Sequence, residues 1–129
     1  FIWIDFLTKY FFYNLKTAES LPFIHPVLNL GISWSMPVHA TISVVIAIFA
    51  LVLFIWLYSQ KYISLIIATL LIAGTLGNMI DRIFLWGVRD FLMPFDWFPV
   101  FNFADIFLNF WVILYLRKEF FTWKTKTKD

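Results

Sequence analysis

The uncharged stretch PVHATISVVIAIFALVLFIWLY, residues 37–58, decides the fold class of this chain. It runs for 22 positions without Asp, Glu, Lys or Arg. An α-helix rises about 1.5 Å per residue, so roughly 20 apolar residues cross the hydrocarbon layer, which is about 30 Å thick. The stretch is long enough for that crossing, and we predict that it forms a transmembrane helix.

A second apolar stretch, residues 62–79, follows after the short polar turn 59–61, which predicts an antiparallel helical hairpin. Gly74 and Gly77 lie in this stretch, and small residues there allow a neighbouring helix to approach closely. Two further apolar segments are predicted to be helices: residues 1–15 and residues 101–116. The expected fold is therefore an all-α membrane protein with four transmembrane helices in a single domain, residues 1–129.

The composition indicates the same class of protein. Hydrophobic residues make up 62% of the chain and charged residues 14%, against roughly 45–50% and about 25% in soluble domains. A fold of this size cannot bury all of that apolar surface. Lipid must therefore solvate much of it. The net charge of +2 is too small to indicate nucleic-acid binding. The chain has no cysteine, which excludes disulfides, thiolate metal sites and a thiol nucleophile.

The basic residues predict the orientation in the membrane, because short cytoplasmic loops are enriched in Lys and Arg. The turn 59–61 and the C-terminal tail lie on one side, since two spans separate them. That side carries six basic residues: Lys61, Arg117, Lys118, Lys124, Lys126 and Lys128. The other side carries at most three: Lys16, Arg82 and Arg89. We therefore predict a cytoplasmic tail and two outward-facing loops, residues 16–36 and 83–100, with room for a small β or amphipathic element.

The first residue, Phe1, already lies inside an apolar segment. We expect that the leading part of the first helix is missing and that the N-terminus is cytoplasmic like the tail.

Charges at membrane depth cost roughly 2.5–3.5 kcal/mol each, so each needs a partner or a function. Asp5 and Lys9 are four positions apart, in the order that favours an ion pair on a helix. We interpret them as a structural pair that fixes the first helix.

Asn78, Asp81 and Arg82 share one helix face. A fixed ion beside Arg82 is the favoured interpretation of Asp81, but a catalytic acid is also compatible with the sequence.

Asp90 and Asp105 are different, because no basic residue lies within one helical turn of Asp105. Asp105 alone could be an acid favoured by a helix N-terminus. Two carboxylates that meet at an apolar boundary cannot easily both ionise, so one keeps a proton. Such a pair supplies an acid and a base in one site.

The other polar residues give no competing site. His25 and His39 have no partners at ligand spacing, and no H-E-x-x-H sequence is present, so no metal or other cofactor is expected. Ser33 and Ser35 lack a nucleophile elbow and an obvious base. Two alternative functions stay open at this point. A transporter or proton relay would use intramembrane acids along a crossing path, and a non-catalytic binding protein would use the same scaffold.

Five blocks of sequence resemble the motifs of one known family, the lipoprotein signal peptidases (type II signal peptidases) of bacteria. DFLTK at residues 5–9 resembles D-Q-x-x-K, and NLG at residues 29–31 resembles the start of N-x-G-A-A-F. GTLGNMIDR at residues 74–82 resembles G-G-x-x-G-N-x-x-D-R. VRDF at residues 88–91 resembles V-V-D-F, and FPVFNFAD at residues 98–105 resembles F-P-x-F-N-x-A-D.

The resemblance implies an intramembrane aspartic endopeptidase with four transmembrane helices and both termini in the cytoplasm. It removes the signal peptide of a prolipoprotein before a diacylglyceryl-modified cysteine. The catalytic aspartates would be Asp90 and Asp105. The substrate-binding or site-supporting residues would be Asp5, Lys9, Asn29, Asn78, Asp81, Arg82, Asn102 and Ala104. The expected partners are membrane lipids and prolipoprotein substrates, the expected location is the bacterial cytoplasmic membrane, and we expect a monomer.

The chain departs from the family pattern at four places. The block around Asn29 lacks the paired alanines, and the outer loop before it is short. Arg89 replaces the second valine before Asp90, and Ile106 stands where a serine is usual. These changes bear on the substrate range and on the shape of the pocket.

Overall fold

The computed structural model describes residues 1–31 and 39–126, without the side chains of residues 119 and 121–126. Its elements in chain order are α1 (Ile2–Thr8), β1 (Ile24–Asn29), α2 (Ala40–Ser59), α3 (Leu65–Leu85), β2 (Val88–Leu92) and α4 (Phe103–Lys126). A π-helical segment, Lys9–Asn14, continues α1 directly. Ser33, Ser35 and Lys128 lie outside the described residues.

The predicted helical hairpin is present as α2 and α3. His39 caps α2, since its Nδ1 accepts a hydrogen bond from the Thr41 N–H, and the Ser64 hydroxyl accepts one from the Ile67 N–H at the start of α3. Within the described residues these two helices are long and apolar enough to cross a membrane, with mean hydropathies of 2.8 and 1.4. The chain is therefore a mostly helical protein with two candidate membrane spans.

Helix α3 packs between α2 and α4, and its glycines allow that packing. A Cβ atom added at Gly74 would lie 2.6 Å from the Ala104 carbonyl oxygen and 2.7 Å from Leu108 Cγ. At Gly77 it would collide with the Asp5 carboxylate. The predicted close approach of neighbouring helices at both glycines is thus confirmed.

A two-stranded antiparallel sheet, β1 with β2, is the small β element for which the outer loops were expected to have room. Val27 pairs with Asp90 and Asn29 pairs with Val88, with an irregularity between Ile24 and Val27. Leu92 also forms an isolated antiparallel bridge with Phe101, just before α4. This pairing brings β2 to the N-terminal end of α4.

Burial in this protein is the reverse of the usual pattern for a soluble domain. Among the described side chains, the largest that are fully buried include Lys9, Asp5, Asp81, Asp90 and Asn102. Large apolar side chains along the helices are exposed, such as Phe49 at 72% and Phe84 at 76%. A polar interior beneath an apolar surface fits a protein whose helices are solvated by lipid.

Candidate active site

Two elements bring the predicted catalytic aspartates into one site. Asp90 lies in β2, shortly after α3 ends, and Asp105 lies in the first turn of α4. Both carboxylates line a cavity of about 370 Å³. The sheet and the bridge from Leu92 to Phe101 hold β2 against the start of α4, so the folded chain closes the distance between these two residues.

The Asp90 carboxylate accepts hydrogen bonds from two side-chain amides. Asn102 Nδ2 donates to Oδ1 at 2.6 Å, and Asn29 Nδ2 donates to Oδ2 at 3.0 Å. The Asn29 Oδ1 accepts the Gly31 N–H at 2.9 Å, which fixes the orientation of the amide. Asn29, on the neighbouring strand, therefore holds Asp90 from one side while Asn102 holds it from the other.

The Asp105 carboxylate is held in a similar way. Asn78 Nδ2 donates to Oδ1 at 2.8 Å, and the Asn102 backbone N–H donates to Oδ2 at 3.1 Å. In return, the Asn102 Oδ1 accepts the Asp105 N–H at 3.0 Å. Asn102 and Asp105 thus form a reciprocal cap at the N-terminus of α4, in the arrangement of a capping box.

Asn102 joins the two carboxylates into one network. Its Nδ2 donates both to Asp90 and, at 3.1 Å, to the Asn78 Oδ1, while Asn78 donates to Asp105. Two asparagines therefore connect the carboxylates, and of the donors to the two carboxylates described above all but one, the Asn102 backbone N–H, are side-chain amides.

Burial raises the pKa of Asp90 to about 7, and the negative charge of Asp105 adds to this rise. The hydrogen bonds from Asn29 and Asn102 oppose it. A carboxyl with a pKa near 7 exchanges its proton under neutral conditions, which suits an acid–base role. The sequence predicted an acid and a base in one site for the same reason, because two carboxylates at an apolar boundary repel each other when both are ionised.

A second group of charges lies beside the carboxylates, the charged cluster formed by Asp5, Lys9, Asp81 and Arg89. Lys9 Nζ lies 2.7 Å from Asp5 Oδ2 and 3.2 Å from Asp81 Oδ2, and its side chain is fully buried. Arg89 Nη2 lies 2.8 Å from Asp81 Oδ1. The predicted Asp5–Lys9 pair is confirmed, and the Asp81 carboxylate lies between two basic side chains, Lys9 and Arg89.

The charged cluster supports the site directly. Lys9 Nζ donates to the Asn78 Oδ1 at 3.3 Å and to the Gly77 carbonyl at 3.4 Å. The Asp5 Oδ1 accepts the Ala104 N–H at 2.9 Å, one of the free N–H groups in the first turn of α4. The first helix therefore holds both Asn78 and the N-terminus of α4 in place.

Arg82 lies at the wall of the cavity rather than in the charged cluster. Its Nη2 donates to the Gly31 carbonyl at 3.2 Å, and its Nη1 donates to the Asn78 carbonyl at 3.3 Å. It connects α3 with the segment that follows β1. All ten residues that the sequence singled out are thereby brought together around one site: Asp5, Lys9, Asn29, Asn78, Asp81, Arg82, Asp90, Asn102, Ala104 and Asp105.

Sequence reasoning missed the contacts of Arg89. It treated Arg89 as a basic residue of the outer side and as a departure from the family pattern, whereas the guanidinium binds Asp81 and also donates to the Asn14 Oδ1 at 2.7 Å. The signal that could have found this role is the rule that an arginine at an apolar boundary needs an acidic partner. In the described part of the chain no three His, Asp or Glu side chains are grouped to hold a metal ion.

Two cavities meet at Asp90. The first, with the carboxylate pair, extends along α4 past Ile106 and Phe110 to Ile113. The second, of about 660 Å³, is lined by β1, Gly31 and His39. Five residues line both: Asn29, Asp90, Phe98, Pro99 and Val100.

Comparison with known proteins gives a consistent result. A family model described as signal peptidase II matches residues 1–121. A lipoprotein signal peptidase from Wigglesworthia glossinidia brevipalpis is 34% identical, over 91% of this chain and 88% of the relative. One from Aquifex aeolicus is 32% identical, over 92% of this chain and 80% of the relative.

The fold is also similar to that of a solved membrane enzyme. A bacterial membrane enzyme solved by the in meso method superposes with a TM-score of 0.75, at 28% identity, over 99% of this chain and 86% of the other. The family model covers nearly the whole chain, including both aspartates and the residues that hold them. The chain belongs to the signal peptidase II family.

Proposed function

We propose that Asp90 and Asp105 are the catalytic pair with which this membrane peptidase removes the signal peptide of a diacylglyceryl-modified prolipoprotein. One observation carries the proposal. The two carboxylates share an asparagine network at the wall of one cavity, and burial and mutual repulsion raise the pKa of Asp90 to about 7. The other buried acids described, Asp5 and Asp81, are both paired with cations.

The proposed reaction is hydrolysis without a covalent intermediate. The pair holds one proton between two carboxylates. The ionised carboxylate takes a proton from a water molecule as its oxygen attacks the scissile carbonyl. The protonated carboxylate hydrogen-bonds to the carbonyl oxygen and then helps to protonate the leaving amine. The proton is shared by a coupled pair, so the two roles belong to the pair rather than to one residue.

The two cavities suggest the path of the substrate. The apolar limb beside Ile106, Phe110 and Ile113 runs along α4, which suits the apolar signal peptide. The second cavity opens beside β1 and His39, away from that limb, and suits the chain that follows the lipidated cysteine. The scissile bond would then lie at Asp90, where the cavities meet.

For the topology we propose four membrane crossings, with α1 and α4 as the outer two, in the bacterial cytoplasmic membrane. Both termini would be cytoplasmic, and the carboxylate pair would lie near the outer boundary, in a monomer. The excess of Lys and Arg on the tail side supports this orientation. Cysteines introduced separately at Ser59 and Asp96 test it, since an impermeant thiol reagent should label only the second from outside. Outside labelling of both would contradict four crossings.

The cleavage reaction tests the catalytic proposal. Purified protein is incubated with a diacylglyceryl-modified prolipoprotein in detergent, and the shortened product is followed by gel electrophoresis and mass spectrometry. Asp90→Asn and Asp105→Asn should each abolish the product. Asp96→Asn is the matched control, because Asp96 is an exposed aspartate outside both cavities, and it should cleave normally.

The same experiment separates the alternatives. A non-catalytic lipoprotein-binding protein would retain the substrate without shortening it. A proton relay would require polar groups along a crossing path, yet α2 carries no charged residue along its 20 residues. Turnover of Asp105→Asn within about tenfold of the parent protein would remove Asp105 from the catalytic pair, since acid–base groups contribute about 100-fold or more.

A further inference from the structure

Arg89 stands where the family pattern has a valine, and it points to the opposite face of β2 from its neighbour Asp90. Two nitrogens of its guanidinium donate to the Asp81 carboxylate on α3. Nη2 donates to Oδ1 at 2.8 Å, and Nε lies 3.2 Å from Oδ1 and 3.3 Å from Oδ2. A planar guanidinium that binds both oxygens fixes direction as well as distance.

The backbone of Arg89 makes a further contact with the same acid. Its N–H donates to the Asp81 Oδ2 at 3.0 Å. Within the described residues the sheet has two strands, so this edge of β2 has no strand partner there at residue 89, and an unpaired N–H would be costly. Asp81 accepts the hydrogen bond that a third strand would otherwise accept.

The third contact of Arg89 reaches the first helical segment. Nη1 donates to the Asn14 Oδ1 at 2.7 Å, at the end of the π-helical segment. Through one side chain β2 is therefore attached to α3 and to the segment that continues α1. A valine at residue 89 could make none of these side-chain contacts, and Asp81 would keep Lys9, which is shared with Asp5.

From these contacts we propose that Arg89 is a positioning residue, which holds β2 so that Asp90 stays next to Asp105 and Asn102. The proposal rests on the catalytic role proposed for Asp90. Arg89 itself does not line either cavity at Asp90, so it acts on the reaction through Asp81, Asn14 and the strand.

The test compares Arg89→Val, Arg89→Lys and Asn14→Ala with the parent protein in the prolipoprotein cleavage assay, with kcat expressed per folded molecule. Arg89→Val should lower kcat about tenfold and leave KM within about twofold, because small displacements of a reacting group cost rate rather than binding. Arg89→Lys should retain part of the activity, since a lysine reaches Asp81 as a single donor. Asn14→Ala should have a smaller effect and add nothing in the Arg89→Val background.

The pH profile distinguishes positioning from a direct effect of the charge. The charged groups that act on Asp90 are Asp105, Lys9 and Arg82. If Asp90 moves away from Asp105, repulsion falls, the pKa of Asp90 falls, and the alkaline limb of kcat moves to lower pH. Loss of a cation that acted directly on the pair would move that limb to higher pH. A purely structural role would leave it in place.

Two controls complete the experiment. Lys16→Asn removes an exposed cation from the predicted outer side of the membrane, on which Arg89 also lies. Asparagine tolerates the left-handed backbone at residue 16 (φ 52°), so neither kcat nor the pH profile should change. Asp90→Asn must abolish cleavage, and if it does not, the catalytic assignment fails and the positioning role with it. If it does, an unchanged kcat in Arg89→Val, or an alkaline limb that moves up or stays in place, overturns the positioning role alone. Should Arg89→Val not fold, unchanged kcat and pH profile in both Arg89→Lys and Asn14→Ala overturn it.

Discussion

The charged cluster and the carboxylate pair are neighbours in the fold but differ in the partners of their acids. In the charged cluster, Asp5 and Asp81 each lie within 3.2 Å of a lysine or arginine nitrogen. In the pair, Asp90 and Asp105 accept from asparagine amides and one backbone N–H instead. An adjacent cation favours the ionised form of an acid more strongly than a neutral donor does. Chemistry is therefore expected in the second group and stability in the first.

Loss of either carboxylate of the proposed catalytic pair should have the largest effect. Asp90→Asn and Asp105→Asn should each lower kcat by about a thousandfold, because each proton-transfer role disappears. The double variant should be hardly slower than either single variant, since residues that act as one unit are not additive. Single-turnover cleavage by the three variants measures this. Effects that multiply would show that the two carboxylates act independently.

Asp81→Asn should act on folding more than on chemistry. The sequence suggested Arg82 as its possible partner, but the structure places Lys9 and Arg89 on its oxygens. Breaking a buried ion pair leaves an uncompensated charge and costs about 3–5 kcal/mol. We therefore expect a low yield of monodisperse protein in detergent, measured by size-exclusion chromatography, while Asp90→Asn gives a near-normal yield. Normal yield of Asp81→Asn without activity would move Asp81 into the catalytic site.

Asn102→Ala should lower both the stability of the fold and the rate of cleavage, each by less than the variants above. It removes the strongest donor to Asp90 and the N-terminal cap of α4. Loss of the cap costs about 1 kcal/mol, and kcat should fall about 10–100-fold, as expected for a lost positioning contact. Thermal unfolding and cleavage kinetics measure the two effects. Val112→Ala is the control on α4, because Val112 is exposed and lines neither cavity, so it should cost little in either measurement.

The smallest effect is on stability as a function of pH. The pKa of Asp90 is raised in the folded protein to about 7 from an ordinary value of 3.8. Between these values the folded state binds more protons than the unfolded state, so stability should fall as pH rises from about 4 to about 7. Asp90→Asn should show a shallower decline in Tm over this range. An identical slope in the parent protein and the variant would show that Asp90 does not carry the raised pKa.

Much of the site could be predicted from the sequence because its residues lie in short local blocks. The blocks around Asn78, Asp90 and Asp105 keep their spacing, and the hydrophobic runs located each helix. The predicted ends at residues 79 and 116 were too early, because α3 continues to Leu85 and α4 to Lys126. The π-helical continuation of α1 was not predicted, since nothing in the residues 9–14 marks a change from an α-helix. In the folded chain this segment contacts β1 and β2, which are remote from it in sequence.

The partners of each acid were harder to predict, and Asp81 shows why. Arg82 is adjacent in sequence, but consecutive helical residues point in different directions. The cations that bind Asp81 come from the first helix and from β2, so only the folded chain brings them together. Asn14 was not noticed for the same reason, because its contact with Arg89 joins two segments far apart in the chain.

By itself the sequence determined that the chain is a membrane protein and which acids could perform chemistry, because hydrophobic length and local motifs are properties of consecutive residues. The tertiary structure decided which of those acids are held by cations and which by amides. Charge pairing depends on distances of a few ångströms between segments that are remote in the chain, such as Asp5 and the Ala104 N–H. Those distances are set by the packing of α1, α3, β2 and α4 around the buried polar groups.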